Sequence, residues 1–313
     1  GVAGQIITCP LAGSRLSDAW PGHPSPCSDS RMSDRIQLSD GTGHINRHAD
    51  FASRYVAPRH VDIWCPYGVA APSATRYPVI YMHDGQNQFD TALSFIGVDW
   101  GMDEAMTRLI RDTGHPGAIV VGIWNSPLRW REYMPHKPLA TPSGRRLLPR
   151  FIEQAGGEPL SSEYLRFIVE ELKPFIDQNY PTLPEPGHAL VMGSSMGGLI
   201  SLYALIEYPD VFGGAGCLST HWPIGDEFMV TFLGKSLPIA GQHRLYFDHG
   251  TETLDHDYEP YQRLMDNFVR ASGYETGRDW LTRKFGGAEH SERAWRARIS
   301  IPLAFLLNIG NFY

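Results

Sequence analysis

Cysteine is scarce in this chain, four in 313 residues, and none of the four stands in a CxxC pair or a metal-ligand spacing. Positive charge is not in excess: 27 Lys and Arg against 34 Asp and Glu leave a net charge of −7. Nothing electrostatic therefore draws the chain to nucleic acid or to an anionic membrane surface. No apolar run reaches the roughly 20 residues that a membrane span needs. There is no internal repeat. The segment "GGAGCLS" is a poor dinucleotide fingerprint, too late in the chain and followed by no convincing helix start. No signal peptide is visible, and the chain begins at Gly1, which fits a processed form. Cys9 and Cys27 lie in a leader rich in Pro, Gly and Ser and could pair in an oxidising compartment. That leaves a secreted or periplasmic location open beside a cytoplasmic one. Cys65 and Cys217 sit in strand-like segments and read as buried thiols.

What the chain does have is apolar residues, 42% of the total, enough for a substantial core. Residues 1–40 show no periodicity and read as an irregular extension. Beyond them, apolar strand-like runs alternate with helical patterns. "YVAPRHVDIWCP", "YPVIYMHDG", "AIVVGIW", "HALVMGS", "GGAGCLS", "HRLYFDHG" and "WLTRKFGG" read as strands. "WGMDEAMTRLIRDTG" is helical and stops at Gly114. "SEYLRFIVEELKPFIDQNY" is amphipathic, and Pro174 should kink it. Helical patterns also follow at 195–209, 259–273 and 291–308. Fully apolar strands alternating with helices predict an α/β fold, a mostly parallel sheet covered on both faces. Residues 41–313 are read as one catalytic domain. The stretch 134–160 is a long connection rich in Pro and Gly, and it reads as a lid-like loop.

The string Gly193-Ser194-Ser195-Met196-Gly197 fits G-x-S-x-G between an apolar strand and a helix. A nucleophile on that sharp turn needs small residues two before and two after it. Centred on Ser195 those are Gly193 and Gly197; centred on Ser194 they are Met192 and Met196, which would clash. Ser195 is therefore the candidate nucleophile, and Gly198 lets the helix pack closely on the strand. A serine hydroxyl needs a base to take its proton. Of 13 histidines, His290 is the last, in a glycine-bearing loop after the last strand, where the order Ser, acid, His requires the base. The acid should follow "HRLYFDHG". Asp248, Glu252, Asp255 and Asp257 are available; Asp248 reads as a structural carboxylate at a strand end. Asp255 is preferred, with Glu252 next. His/Asp crowding over 248–257 matches no known metal spacing, and no metal or cofactor is expected. Oxyanion donors would be the N–H of Met196 and, after the strand "VIYMH", the N–H of Gln86, with Gly85 permitting a tight turn. His83 and Asp84 read as structural.

Taken together, these segments, with "IVVGIWNSPLRWREYMP" and "GGAEHSERAW", resemble the esterase family of the α/β-hydrolase superfamily. That family includes enterochelin, feruloyl and acetylxylan esterases, esterase D and the mycolyltransferases. The resemblance runs from about residue 43 to the C-terminus. It implies the α/β-hydrolase fold, Ser195 as nucleophile, His290 as base, and the amides of Gln86 and Met196 as oxyanion donors. Relatives carry the acid at different offsets, so Asp255 and Glu252 both stay open. The implied activity is hydrolysis of a small-molecule carboxylic ester through an acyl-enzyme. An acyltransferase and a non-catalytic binding module on the same fold are the alternatives. Loops at the strand ends offer Trp124, Arg131, Tyr133, His221 and Trp222 as substrate contacts, although packing is the ordinary role of a buried aromatic. Arg131 could instead pair with Glu132. The oligomeric state is left open.

Overall fold

A computed structural model describes residues 33–310 apart from 40, 42 and 67–74. The Cys9–Cys27 pairing lies outside the described residues. Nine strands form one sheet in the order β1-β2-β3-β5-β4-β6-β7-β8-β9. They are β1 (Asp34–Gln37), β2 (His44–Phe51), β3 (Arg59–Trp64), β4 (Val79–His83), β5 (Ile119–Ile123), β6 (Ala189–Ser194), β7 (Gly214–Leu218), β8 (Arg244–His249) and β9 (Trp280–Lys284). The first three pair antiparallel, and β3 meets β5 antiparallel. From β5 through β4, β6, β7 and β8 to β9 every pairing is parallel.

The apolar runs predict this arrangement because all residues of β4, β5, β6 and β7 are buried, on both faces. Alternation along β4 sends Val79 and Tyr81 into one core and Ile80 and Met82 into the other. The first core is closed by helices that include Met196–Glu207, Asp226–Lys235 and Glu259–Ala271. The second is closed by Met102–Thr113 and the pair Glu292–Arg298 and Ser300–Leu306. Small residues on β7 make room for neighbours: a Cβ at Gly216 would stand 2.6 Å from the Met192 side chain.

Local signals behave as their chemistry dictates. Gly114 ends its helix with φ 71° and donates its N–H to the Ile110 carbonyl. Around Pro174 the helix does not simply kink. Residues Phe167–Leu172 widen into a π-turn, and the Lys173 N–H reaches the Ile168 carbonyl five residues back, which relaxes the ladder just before the proline that lacks a donor.

Two expectations need correction. Residues 34–37, assigned to an irregular extension, form β1, a short edge strand whose sequence DRIQ is mostly exposed and so carries no alternation to read. Residues 134–160 are not a loose loop. They contain helices His136–Ala140 and Leu148–Ala155, and Met134, Leu139 and Phe151 are buried in the core. Among the described residues no helix is long and apolar enough to cross a membrane.

Candidate active site

The end of β6 turns abruptly into the helix Met196–Glu207, and Ser195 occupies the turn with φ 57° and ψ −121°. A non-glycine residue there is strained. The strain is held by the chain on both sides: the Ser195 N–H donates to the Leu218 carbonyl at 2.9 Å, and its carbonyl accepts from His221 N–H at 3.1 Å. Ser194 remains inside β6, buried and in register with Leu218. The two flanking glycines are not equivalent. A Cβ on Gly193 would stand 2.8 Å from the Gly197 backbone, whereas one on Gly197 would find nothing closer than 3.4 Å, an Asp84 carboxylate oxygen. A Cβ on Gly198 would meet Thr220 Oγ1 at 2.9 Å and the Leu218 carbonyl at 3.2 Å, so close helix–strand packing does require it. Met196 opens the helix, and its N–H has no intrahelical acceptor.

Beyond β4, the left-handed residue is Asp84 (φ 56°), and Gly85–Asn87 form a single 3₁₀ turn. Gly85 is needed for a different reason from the tight turn expected. Its Cβ would lie 2.3 Å from the Gly122 carbonyl carbon, so it is the crossing over β5 that excludes a side chain. The Asp84 carboxylate accepts from Arg129 Nε and Nη2 at 2.6 and 2.7 Å and from Asn125 Nδ2 at 2.6 Å. Its own N–H donates to the Tyr133 hydroxyl. Asn125 N–H donates to Gln86 Oε1 at 3.2 Å, so the turn that presents Gln86 is tied to the loop after β5. Burial pushes the Asp84 carboxyl up, but Arg129 outweighs it and holds the group below the usual carboxylate range. His83 is buried, bonded through Nδ1 to the Tyr164 hydroxyl, and desolvation lowers its pKa to about 3, which keeps it neutral.

The loops after β8 and β9 bring Asp255 and His290 together. His290 Nδ1 and Asp255 Oδ1 are 2.6 Å apart. Because a carboxylate only accepts, Nδ1 carries a proton, and in the neutral ring Nε2 is then the acceptor. The imidazole stands edge-on to Tyr258 and Trp295, at 5.7 and 5.0 Å between centroids, and its backbone N–H donates to Thr253 Oγ1. Asp255 Oδ2 accepts from the Ser219 hydroxyl and the Gly250 N–H, both at 2.6 Å. Burial raises the Asp255 pKa, yet hydrogen bonds from His290, Ser219 and Gly250 prevail and lower it. The other carboxylates are committed elsewhere. Glu252 and Asp257 are exposed, and Asp257 pairs with His256. Asp248 is fully buried and held by two hydrogen bonds from Arg298, the structural role its strand-end position predicts.

The family described as Putative esterase matches residues 53–300. This chain belongs to that esterase family. Ferri-bacillibactin esterase BesA of Bacillus subtilis (strain 168) is 30% identical over 212 residues, 62% of this chain and 68% of BesA. The uncharacterized protein YbbA of the same organism is 29% identical over 147 residues, 47% of this chain, so the match spans about half of YbbA, 51%. The solved structure of an IroE-like serine hydrolase from Shewanella oneidensis has a TM-score of 0.62 at 23% identity and covers 84% of this chain and 78% of that one. The fold of this esterase is the α/β-hydrolase fold.

A cavity of about 530 Å³ in this esterase is lined by Pro127, Trp130, Arg150, Gln154, Ala155, His221, Pro223 and Ile224. Neither Ser195 nor His290 lines it; its link to them is His221, whose N–H is bonded to the Ser195 carbonyl. His221 Nδ1 shares a hydrogen bond of 2.5 Å with the Tyr258 hydroxyl. Burial first, then the neighbouring His290 and Arg129, lower its pKa to about 4, so it is neutral near pH 7. Of the five side chains expected as substrate contacts, only His221 lines this cavity. Trp124 donates to Asp62 under the Arg47 guanidinium. Tyr133 and Trp222 are buried in the core, where Trp222 donates to Gln262. Arg131 does not pair with Glu132, which is bound to Arg59 in the interior; it donates to the Glu158 carbonyl. Sequence reasoning missed Arg129, Trp130, Arg150 and Ser219. The run "NSPLRWREY" held the first two, but its five charged or aromatic residues carry no spacing that says which face a cavity. In the described residues Asp99, Asp103 and Glu104 lie close enough to hold a cation, and Arg296 pairs with Asp99 and Glu104.

Proposed function

We propose that this esterase is a serine carboxylic-ester hydrolase working through an acyl-enzyme. The observation that carries the reading is the Asp255–His290 hydrogen bond of 2.6 Å through Nδ1, with Ser195 strained into the turn after β6. In this reading Ser195 Oγ attacks the ester carbonyl while His290 Nε2 takes its proton. The oxyanion is held by the N–H groups of Gln86 and Met196. His290 then gives the proton to the departing alcohol, and water repeats the cycle on the acyl-Ser195. Asp255 holds the imidazole in the tautomer that leaves Nε2 free.

The cavity that His221 lines suits an ester with a flat polar or aromatic part. Trp130 offers an exposed ring, Arg150 a cation, Gln154 and neutral His221 hydrogen bonds. Arg150, Gln154 and Ala155 line one side of it, so in this reading the segment 134–160 acts as a fixed cover. BesA, named a ferri-bacillibactin esterase, makes siderophore esters part of the panel to assay, beside feruloyl, acetyl-sugar and p-nitrophenyl esters, each with and without an acceptor alcohol. Ser195→Ala should lose at least about 10⁴-fold in activity, and Ser194→Ala should keep most of it. An organophosphonate should label Ser195, read by peptide mass. A label on Ser194 would refute the assignment, and acyl transfer to the added alcohol would make the chain a transferase. No turnover and no label would leave a binding module.

A further inference from the structure

We propose that Ser219 is a positioning residue of the same reaction, one that acts on the imidazole through Asp255; the inference rests on the triad reading above. Ser219 is the residue after β7, fully buried, with φ 42°. Glycine would occupy that conformation at lower cost, so a serine there is kept for its hydroxyl.

The surroundings determine where that hydroxyl proton points. Ser219 Oγ accepts from Trp295 Nε1 at 3.0 Å and from Arg298 Nη2 at 2.9 Å. Both partners only donate. They occupy both lone pairs of the oxygen, and one proton remains to be given. Its acceptor is Asp255 Oδ2 at 2.6 Å. The hydroxyl therefore has a single allowed orientation. Arg298 is itself fixed by two hydrogen bonds to the buried Asp248, and the Ser219 N–H donates to the Asp248 carbonyl and to its Oδ1. A continuous chain runs from the Asp248–Arg298 ion pair to the Ser219 hydroxyl, to Asp255 and to His290 Nδ1. Its members from Asp248 to Asp255 are all buried. With Oδ2 locked by Ser219 and Gly250, the carboxylate cannot rotate, and Oδ1 stays aimed at the imidazole.

The test is a double-mutant cycle on the full chain with an activated p-nitrophenyl ester. Ser219→Gly removes the hydroxyl while suiting the backbone, and Ser219→Ala serves as a second variant should the first fold poorly. In the wild-type background each should lower kcat about 10- to 100-fold, as for one hydrogen bond to a charged group, with KM changed less than about twofold. In the Asp255→Asn background the same substitution should cost nothing further, because its effect passes through Asp255. An equal loss in both backgrounds, or no loss in the wild type, overturns the proposal. Failure of the triad reading looks different: Asp255→Asn would then retain wild-type kcat by itself.

Discussion

Asp84 and Asp255 are both buried carboxylates in the connections that follow strands, β4 and β8, and both are pulled below the usual carboxylate range against the cost of burial. They are held by different means. Asp84 is gripped by Arg129, a permanent charge, with two hydrogen bonds of 2.6 and 2.7 Å. Asp255 is held by two neutral donors, the Ser219 hydroxyl and the Gly250 N–H, and by His290. A group gripped by a fixed charge makes a static anchor, and Asp84 anchors the turn that presents Gln86. A group held by neutral donors stays in place whether or not the imidazole beside it is protonated. That is what the proposed mechanism asks of Asp255, since in it His290 gains and loses a proton in every turnover.

The largest effect that sharpens this contrast belongs to Asp255. Asp255→Asn should lower kcat by about 10²- to 10⁴-fold with little change in KM, since the lost interaction acts mainly in the transition state. His290→Ala sets the floor in the same assay. If Asp84→Asn fell equally far at unchanged stability, the division into working and anchoring carboxylates would be broken.

For Asp84→Asn the expected loss is mainly one of stability. The substitution leaves the Arg129 guanidinium without its counter-charge. Breaking a buried pair costs about 3–5 kcal/mol, and because Arg129 is 24% exposed the cost should sit near the lower end. A lowered Tm in calorimetry should accompany a roughly tenfold loss of kcat, as one oxyanion donor shifts slightly. The pH dependence gives the sign. Because its folded pKa is depressed, the Asp84 contribution is present above about pH 4, the unfolded carboxylate value, and is lost as the pH falls through the depressed value. Urea midpoints measured downward from pH 7 should therefore drop less steeply in Asp84→Asn than in the wild type. Parallel curves would mean that Asp84 carries no charge-linked stability.

The parallel half of this fold was legible because β4 to β7 are buried throughout and mostly apolar, and a glycine-flanked serine between strand and helix has few other readings. β1 was not, because a four-residue polar edge strand is set by its pairing with β2 rather than by its own pattern. In the candidate site, the residues legible in sequence were those whose place follows from chain order, Ser195 and His290. Ser219 and Arg129 were invisible. What each does depends on a partner 36 or 45 residues away in sequence, and no local periodicity records such a pairing. The cavity wall at 150–155 was hidden because a Pro- and Gly-rich stretch reads as a loop, although Phe151 beside it is buried.

The smallest expected effect concerns Glu252, the other candidate acid. Its side chain is exposed and accepts from Thr251 Oγ1 at 3.2 Å. Its backbone is occupied: the N–H donates to the Ala288 carbonyl at 3.0 Å, and its own carbonyl accepts from the Asp255 N–H at 3.1 Å. The residue thus ties the Asp255 turn to the loop that carries His290, and any residue with an N–H and a carbonyl can do so. Glu252→Gln should change kcat by less than about twofold, with Tm unaltered, as for a surface substitution away from packing and caps. Glu252→Pro removes the N–H, so it should loosen the Asp255–His290 alignment and lower kcat although the charge at 252 is lost in both variants. Measured side by side, the two separate a backbone role from a carboxylate role. A fall of Glu252→Gln to the His290→Ala floor would move the acid from Asp255 to Glu252.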